Sequence, residues 1–105
     1  MIPEEMTIDD LLGWANGLGL CTFKKQRGFF GDEIVCEKGS VKIDIHFGHY
    51  HPNVHDGARM IHFGAEDNRN LSGMGSPIRS LEELERYIEL YATKLGLLNP
   101  QMSLF

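Results

Sequence analysis

A strict alternation of apolar and polar residues between Val41 and Phe47 is the feature that most constrains how this chain can fold. Successive side chains of a strand point to opposite faces, so this stretch predicts a strand with one apolar and one polar face. Its apolar residues are Val41, Ile43, Ile45 and Phe47, and its polar residues are Lys42, Asp44 and His46. Antiparallel sheets commonly expose one face to water, whereas parallel sheets are covered on both. The pattern therefore favours an antiparallel sheet whose apolar face needs a cover.

Three further segments have strand character, and turn signals separate them. They are Leu20–Lys25, Glu33–Glu37 and Arg59–Ala65. The Lys38-Gly39 step predicts a tight hairpin between the second predicted strand and the alternating one. The simplest arrangement of these segments is an antiparallel meander of three to four strands.

Amphipathic segments before and after the strands can supply the cover. Thr7-Ile8-Asp9-Asp10 has a helix N-cap and acidic first-turn residues, and apolar residues then recur on one face until Gly19. Ser80-Leu81-Glu82-Glu83 matches a capping box, and a second apolar stripe follows until Gly96 closes the helix. The stretch Glu66–Arg79 is predicted to be a loop. The sequence therefore predicts an α+β fold of order α-β-β-β-β-α, in which an N-terminal and a C-terminal helix flank an antiparallel sheet.

Composition indicates one small domain. The chain has 105 residues, of which 42% are hydrophobic, enough for one modest core over residues 1–97, with residues 98–105 as a tail. No stretch has the character of a signal peptide or the length of a membrane span, so a cytoplasmic protein without a membrane partner is expected. Cys21 and Cys36 are then expected to be reduced, partly buried strand residues. A formal charge of −5 argues against broad electrostatic binding to DNA.

The last five residues, Gln101-Met102-Ser103-Leu104-Phe105, place two large apolar side chains directly after the helix-stopping Asn99-Pro100. Leaving such a side chain in water forgoes about 1.5–3 kcal/mol of burial, so the tail is expected to dock on this chain or on another protein. The pentapeptide resembles the Q-L-[S/D]-L-F motif by which bacterial and phage replication and repair proteins bind the polymerase III β sliding clamp. Met102 is the one departure, an apolar swap that a pocket can accept because methionine is unbranched and adaptable.

The resemblance implies a β sliding clamp as the partner and assigns a role to each part of the peptide. Leu104 and Phe105 would fill an apolar pocket of the clamp, and Gln101 would hydrogen-bond at the rim of that pocket. The implied protein is a small, non-enzymatic accessory or regulatory factor in bacterial or phage DNA replication or repair. The alternative is that the tail packs within its own domain or oligomer, as in a structural or assembly protein.

All the histidines of the chain lie within one short stretch. They are His46, His49, His51, His55 and His62. Closely spaced imidazoles can bind zinc or another transition metal, and His46 and His62 would share the polar sheet face with Asp44 if their strands pair. Their spacing matches no diagnostic ligand motif, so no cofactor is expected. A metal-binding protein or metal-dependent enzyme is the function that this cluster leaves open.

A second candidate surface interleaves cations with aromatic residues. Its members are Lys24, Lys25, Arg27, Phe29 and Phe30. In a surface that binds single-stranded nucleic acid, the phenylalanines would stack on bases and the cations would contact phosphates. An alternating strand places neighbouring aromatic residues on opposite faces, and the rest of the chain is acidic. A basic hairpin is the simpler interpretation, and direct nucleic-acid binding is not expected.

Overall fold

The computed structural model describes residues 2–29, 31–49, 57–67, 72–74 and 77–100, and within them it has two helices and one antiparallel sheet. The helices are α1 (Ile8–Gly17) and α2 (Leu81–Leu95). The strands are β1 (Lys24–Gly28), β2 (Gly31–Lys38), β3 (Val41–His49), β4 (Arg59–Glu66) and β5 (Ser72–Met74). The predicted α+β class is confirmed. Neither helix in the described part of the chain is long and apolar enough to cross a membrane.

The sheet is a meander with strand order β1-β2-β3-β4-β5, so each strand pairs with its neighbour in the sequence. Lys38 pairs with Val41, which leaves Gly39 and Ser40 as a two-residue turn between β2 and β3. Gly39 has a φ of 62°, the left-handed conformation that such turns need and glycine adopts without strain. The hairpin predicted at Lys38-Gly39 is therefore present.

The hydrophobic core lies between the two helices and one face of the sheet. The buried strand residues on that face include Ile34, Cys36, Ile43, Ile45, Ile61, Phe63 and Ala65, and the buried helix residues are Leu11, Ala15, Leu84, Ile88 and Ala92. On β3 these positions alternate with the polar Lys42, Asp44 and His46, and on β4 with Met60, His62 and Gly64, as the period of two requires. Each fully buried aliphatic side chain contributes about 1.5–3 kcal/mol relative to exposure, so this face carries most of the stability.

Both helices begin with the predicted caps, but only one has a complete capping box. In α1 the Asp10 N–H donates to the Thr7 hydroxyl at 3.0 Å, and the Thr7 N–H donates to the Asp10 carboxylate at 2.9 Å. In α2 the Glu83 N–H donates to the Ser80 hydroxyl at 3.2 Å. The Glu83 carboxylate accepts from the Arg79 N–H, one residue before the position that a capping box uses.

The first strand begins four residues later than its predicted start, at Lys24 instead of Leu20. The backbone of the preceding residues bonds to asparagines rather than to another strand. The Phe23 N–H donates to Asn16 Oδ1 at 2.7 Å, and Asn16 Nδ2 donates to the Phe23 carbonyl at 3.2 Å. The Leu20 carbonyl accepts from the Asn99 N–H at 2.8 Å. These contacts make residues 18–23 a bonded connection between α1 and β1.

The stretch predicted as the loop Glu66–Arg79 contains a fifth strand. The strand β5 pairs with β4 from Gly64 to Glu66 and lies at the edge of the sheet. Farther along, Ile78 exchanges two backbone hydrogen bonds with Ile61, at 2.8 and 3.0 Å, and its side chain is fully buried. Ile78 therefore packs into the hydrophobic core.

Candidate functional site

The residues Leu97–Pro100, which we call the exit segment, connect α2 to Gln101–Phe105. We call Gln101–Phe105 the clamp-motif residues, after the motif that they resemble. Gly96 ends the helix with a φ of 70°, the left-handed conformation common at helix C-caps. The Leu97 N–H then donates to the Ala92 carbonyl at 2.8 Å, and the Leu97 side chain is buried. The chain is thus turned back onto the core as soon as the helix ends.

Asn99 fastens the exit segment to the connection between α1 and β1. Its backbone N–H donates to the Leu20 carbonyl, and its side-chain Nδ2 donates to the Gly19 carbonyl at 3.2 Å. Its side-chain Oδ1 accepts from the Thr22 hydroxyl at 3.0 Å. Both ends of the amide are used, so the neighbours define which atom is oxygen and which is nitrogen. The path of the chain is therefore held two positions before Gln101.

The clamp-motif residues Gln101–Phe105 lie outside the described residues. Pro100, the last residue described, is exposed and borders a cavity of about 260 Å³. Thr22, Cys36 and Asn99 also line this cavity. The structure thus describes the exit segment and a small cavity beside it.

His46 and His62 form a stack on the sheet face opposite the helices. They are direct partners in the register of β3 and β4, with ring centroids 4.8 Å apart and ring planes inclined by 26°. The His62 ring also lies over Gly48, where an added Cβ would come within 2.7 Å of His62 Cδ2. Burial lowers the pKa of His62 because it disfavours the charged form of the ring. The neighbouring His46 lowers it further because two adjacent imidazolium ions repel. The pairing expected for these two residues is present.

Asp44 lies on the same face, two positions before His46 on β3. Its carboxylate is 3.9 Å from Lys42 Nζ, which is also 3.6 Å from the Glu66 carboxylate. Burial raises the pKa of Asp44, and the charge of Lys42 opposes that shift. This end of the face therefore carries a lysine shared by two carboxylates, next to the imidazole stack.

The other histidines of the predicted metal cluster do not join the stack within the described residues. His49 lies at the end of β3 with its Nε2 3.2 Å from a Glu4 carboxylate oxygen. His51 and His55 lie outside the part of the chain that the structure describes. Over residues 2–29, 31–49, 57–67, 72–74 and 77–100, no group of three or more potential ligands could hold a metal ion. A catalytic site at His46 and His62 would need a third protein ligand.

The two lysines of the predicted nucleic-acid surface each lie beside a carboxylate. Lys24 Nζ is 3.3 Å from Glu37, and Lys25 Nζ is 2.9 Å from Asp9. The hydrogen bond to Asp9 raises the pKa of Lys25. Adjacent residues of β1 point to opposite faces, so the two ammonium groups belong to different surfaces. A phosphate would have to compete with a carboxylate at each lysine.

The tip of the β1–β2 hairpin carries the aromatic part of that predicted surface. Gly28 pairs with Gly31, and the Phe29 side chain is 94% exposed. Arg27 pairs with Asp32 in the backbone register of β1 and β2. Phe30 lies outside the described residues. Base stacking on Phe29 stays a prediction that depends on its exposure.

Asn16, Asn99 and the two cysteines have roles that sequence analysis missed. The asparagines hold the connection before β1, and the thiols of Cys21 and Cys36 lie close enough to hydrogen-bond. Cys36 lies in β2 as expected, whereas Cys21 lies in the connection and not in a strand. Asn99 bonds to Thr22 and Gly19, which lie 77 and 80 positions away, so no local pattern signals these contacts.

Comparisons of the chain with protein-family models, with curated proteins and with solved structures find no match. The resemblance of Gln101–Phe105 to the clamp-binding motif and the contacts of the exit segment are therefore the observations that bear on function.

Proposed function

We propose that this protein binds a bacterial β sliding clamp through residues Gln101–Phe105, as an accessory or regulatory factor in DNA replication or repair. The observation that carries the proposal is the match of Gln101, Ser103, Leu104 and Phe105 to the clamp-binding motif. From average residue usage, these four residues would occur together at a given position by chance on the order of once in ten thousand sequences or more rarely.

The contacts of the exit segment support the proposal. Leu97 is buried and Asn99 is bonded to the α1–β1 connection, so a peptide that continues from Pro100 starts at a defined place on the domain. For a short peptide that binds through two apolar anchors we expect a dissociation constant on the order of micromolar, which corresponds to about −8 kcal/mol.

The mechanism that follows is recruitment or competition at the clamp. A clamp pocket occupied by Leu104 and Phe105 excludes polymerases and repair factors that use the same pocket. The α+β domain, held close behind the peptide by Asn99, adds steric bulk next to the occupied pocket. Micromolar affinity makes such occupancy reversible and sensitive to the local concentration of protein.

Calorimetric titration of the intact protein into a bacterial β clamp tests the proposal. The intact protein should bind with a dissociation constant of order micromolar, and Leu104→Ala/Phe105→Ala should weaken binding by roughly 100-fold or more, because both anchors are lost. Met102→Leu restores the family pattern and should tighten binding by about a few-fold. Equal binding by the double alanine variant, or none by the intact protein, would refute the proposal.

Metal binding at the sheet face is the second candidate function, and the His46–His62 stack is the observation that favours it. Zinc titration of the intact protein, monitored by calorimetry, separates it from clamp binding. On the metal hypothesis, zinc binds stoichiometrically and His46→Gln/His62→Gln abolishes the binding. Absence of zinc binding by the intact protein would remove this candidate.

A further inference from the structure

Cys21 and Cys36 are the two cysteines of the chain; both lie in the hydrophobic core, and Cys36 borders the cavity beside the exit segment. Cys21 lies in the connection before β1, and Cys36 lies on the core side of β2, opposite Ile43 in register. Both thiols are free, and they lie within hydrogen-bonding distance of each other. Two adjacent thiols, unlike a single buried one, can exchange with a disulfide in two successive steps.

Hydrogen bonds make Cys36 the more acidic of the two thiols. The hydrogen bond with Cys21 and a weaker one with the Thr22 backbone lower the pKa of Cys36, against the opposing effect of burial. The hydrogen bond with Cys36, together with burial, raises the pKa of Cys21. Because the thiolate is the nucleophile, Cys36 is the sulfur prepared to attack first.

Cys36 is also the thiol that a small reagent can reach. Cys36 is 7% exposed and lines the cavity of about 260 Å³ beside the exit segment, whereas Cys21 is 1% exposed. This volume is slightly below the roughly 300–1,000 Å³ of typical small-molecule sites, so it suits one half of a small disulfide. Lys38 and Glu37 both border the cavity, and Glu37 is paired with Lys24 at 3.3 Å. Lys38 therefore adds positive charge for an anionic reagent.

We propose that Cys36 and Cys21 form a thiol–disulfide exchange site for low-molecular-weight disulfides, with Cys36 as the attacking thiol and Cys21 as the resolving thiol. The Cys36 thiolate, its proton released to solvent, attacks one sulfur of the reagent. A mixed disulfide forms, the reagent's S–S bond breaks, and one reagent thiolate leaves.

In the second step Cys21 gives its proton to that departing thiolate and attacks the Cys36 sulfur. The Cys21–Cys36 bond forms, and the second reagent thiolate leaves and takes a proton from solvent. Two protein thiols are oxidised to one disulfide, and the reagent disulfide is reduced to two thiols. The site is independent of clamp binding, since none of its chemistry involves residues 101–105.

Incubation of the native protein with oxidised glutathione, followed by acid quenching and mass spectrometry, tests the exchange site. The intact mass should fall by two hydrogen atoms, and peptide mapping should recover a Cys21–Cys36 cross-link. Cys21→Ser should accumulate one glutathione on Cys36, because the resolving thiol is missing. Cys36→Ser should stay unmodified, because Cys21 is neither accessible nor acidic.

Two results would overturn the inference: a native protein whose mass does not change, or a Cys21→Ser variant that carries no glutathione while it is folded. If a serine variant does not fold, alkylation of the native wild-type protein by iodoacetamide tests the roles proposed for Cys36 and Cys21. Cys36 should be alkylated well before Cys21, at a rate that rises with pH as the Cys36 thiol ionises. Equal, slow alkylation of both thiols at the rate of global unfolding would contradict the proposed roles.

Discussion

At the scale of single residues, the stacked histidines make the stability of this domain sensitive to pH. Burial and His46 lower the pKa of His62 in the folded state below its ordinary value of 6.5. The unfolded chain then binds a proton at this position more readily than the folded protein does. The stability contribution is therefore fully present above pH 6.5 and is lost as the pH falls through the lowered, folded-state pKa.

Replacing His62 by glutamine should reduce this pH dependence. The free energy of unfolding, measured by urea denaturation between about pH 7.5 and pH 5, should fall less in His62→Gln than in the wild-type protein. Asp44, whose pKa burial raises, acts with the opposite sign: its contribution is present below the unfolded value of 3.8 and is lost as the pH rises through the folded-state pKa. Equal losses in variant and wild type over this range would show that His62 is not responsible.

Asn99 holds the exit segment through its side chain, and its loss should cost stability. Asn99→Ala removes the bonds to Gly19 and Thr22, and because the site is partly exposed we expect a loss of about 1–2 kcal/mol. Asn99→Asp keeps an acceptor for the Thr22 hydroxyl and should lose less. Chemical denaturation measures both, and an unchanged Asn99→Ala midpoint would mean that Leu97, Leu98 and the backbone bond to Leu20 hold the segment without the side chain of Asn99.

Whether such a contact can be predicted depends on the sequence distance between its partners. The Thr7–Asp10 cap joins residues three positions apart and follows from the sequence directly. The Asn99–Gly19 bond joins residues 80 positions apart, and Asn99 reads in the sequence only as a residue that stops a helix. Long-range polar contacts depend on the assembled fold, so the fastening of the exit segment could not be predicted.

At the scale of elements, α2 shows how an apolar stripe produces a buried face. Leu84, Ile88 and Ala92 recur every fourth residue and are fully buried, whereas Leu90 faces away and is 53% exposed. The Tyr91 ring extends the contact to the sheet, with its centroid 5.5 Å from that of Phe63. The helix is thus held mainly by what its stripe covers.

Two substitutions in α2 separate burial from helix propensity. Ile88→Ala should cost about 2–5 kcal/mol, because it removes apolar contacts and leaves a cavity in the core. Leu90→Ala, a matched change two residues away, should alter stability by less than about 0.5 kcal/mol. Urea denaturation of both variants provides the comparison. Similar losses would contradict the packing of α2 described here.

Elements with a clear period were predictable, and those without one were not. The alternation in β3 and the stripe in α2 locate both elements closely. Leu20–Phe23 has the composition of a strand, but its backbone bonds to asparagine side chains and to the exit segment. The strand β5 has three residues, too few for a period to show. Composition alone cannot distinguish a strand from a connection when hydrogen bonds to residues distant in sequence determine the conformation.

At the scale of the whole molecule, the clamp proposal gives Gln101–Phe105 a role in partner binding and none in the fold, so their deletion should leave the domain intact. A variant that lacks Gln101–Phe105 should unfold at the same temperature and elute at the same volume in size-exclusion chromatography as the intact protein. Loss of an oligomer on deletion would instead support the assembly alternative, in which the tail packs against another copy.

The candidate sites differ in how much of each the sequence could predict. A linear motif such as Gln101–Phe105 is read without knowledge of the fold, because an extended peptide supplies its own contacts to a partner. A metal site, by contrast, forms only where the fold brings its ligands close together. Strand pairing joins His46 with His62 and leaves His49 beside Glu4, and proximity in sequence could not distinguish these outcomes.

The most direct test of the central claim is competition for the clamp pocket. A fluorescent peptide of sequence Gln-Leu-Ser-Leu-Phe is bound to a bacterial β clamp, and its anisotropy is followed as the unlabelled intact protein is added. We predict that the intact protein displaces the labelled peptide completely, with an inhibition constant on the order of micromolar, and that Leu104→Ala/Phe105→Ala does not displace it. A labelled peptide that stays bound at saturating concentrations of the intact protein would contradict it.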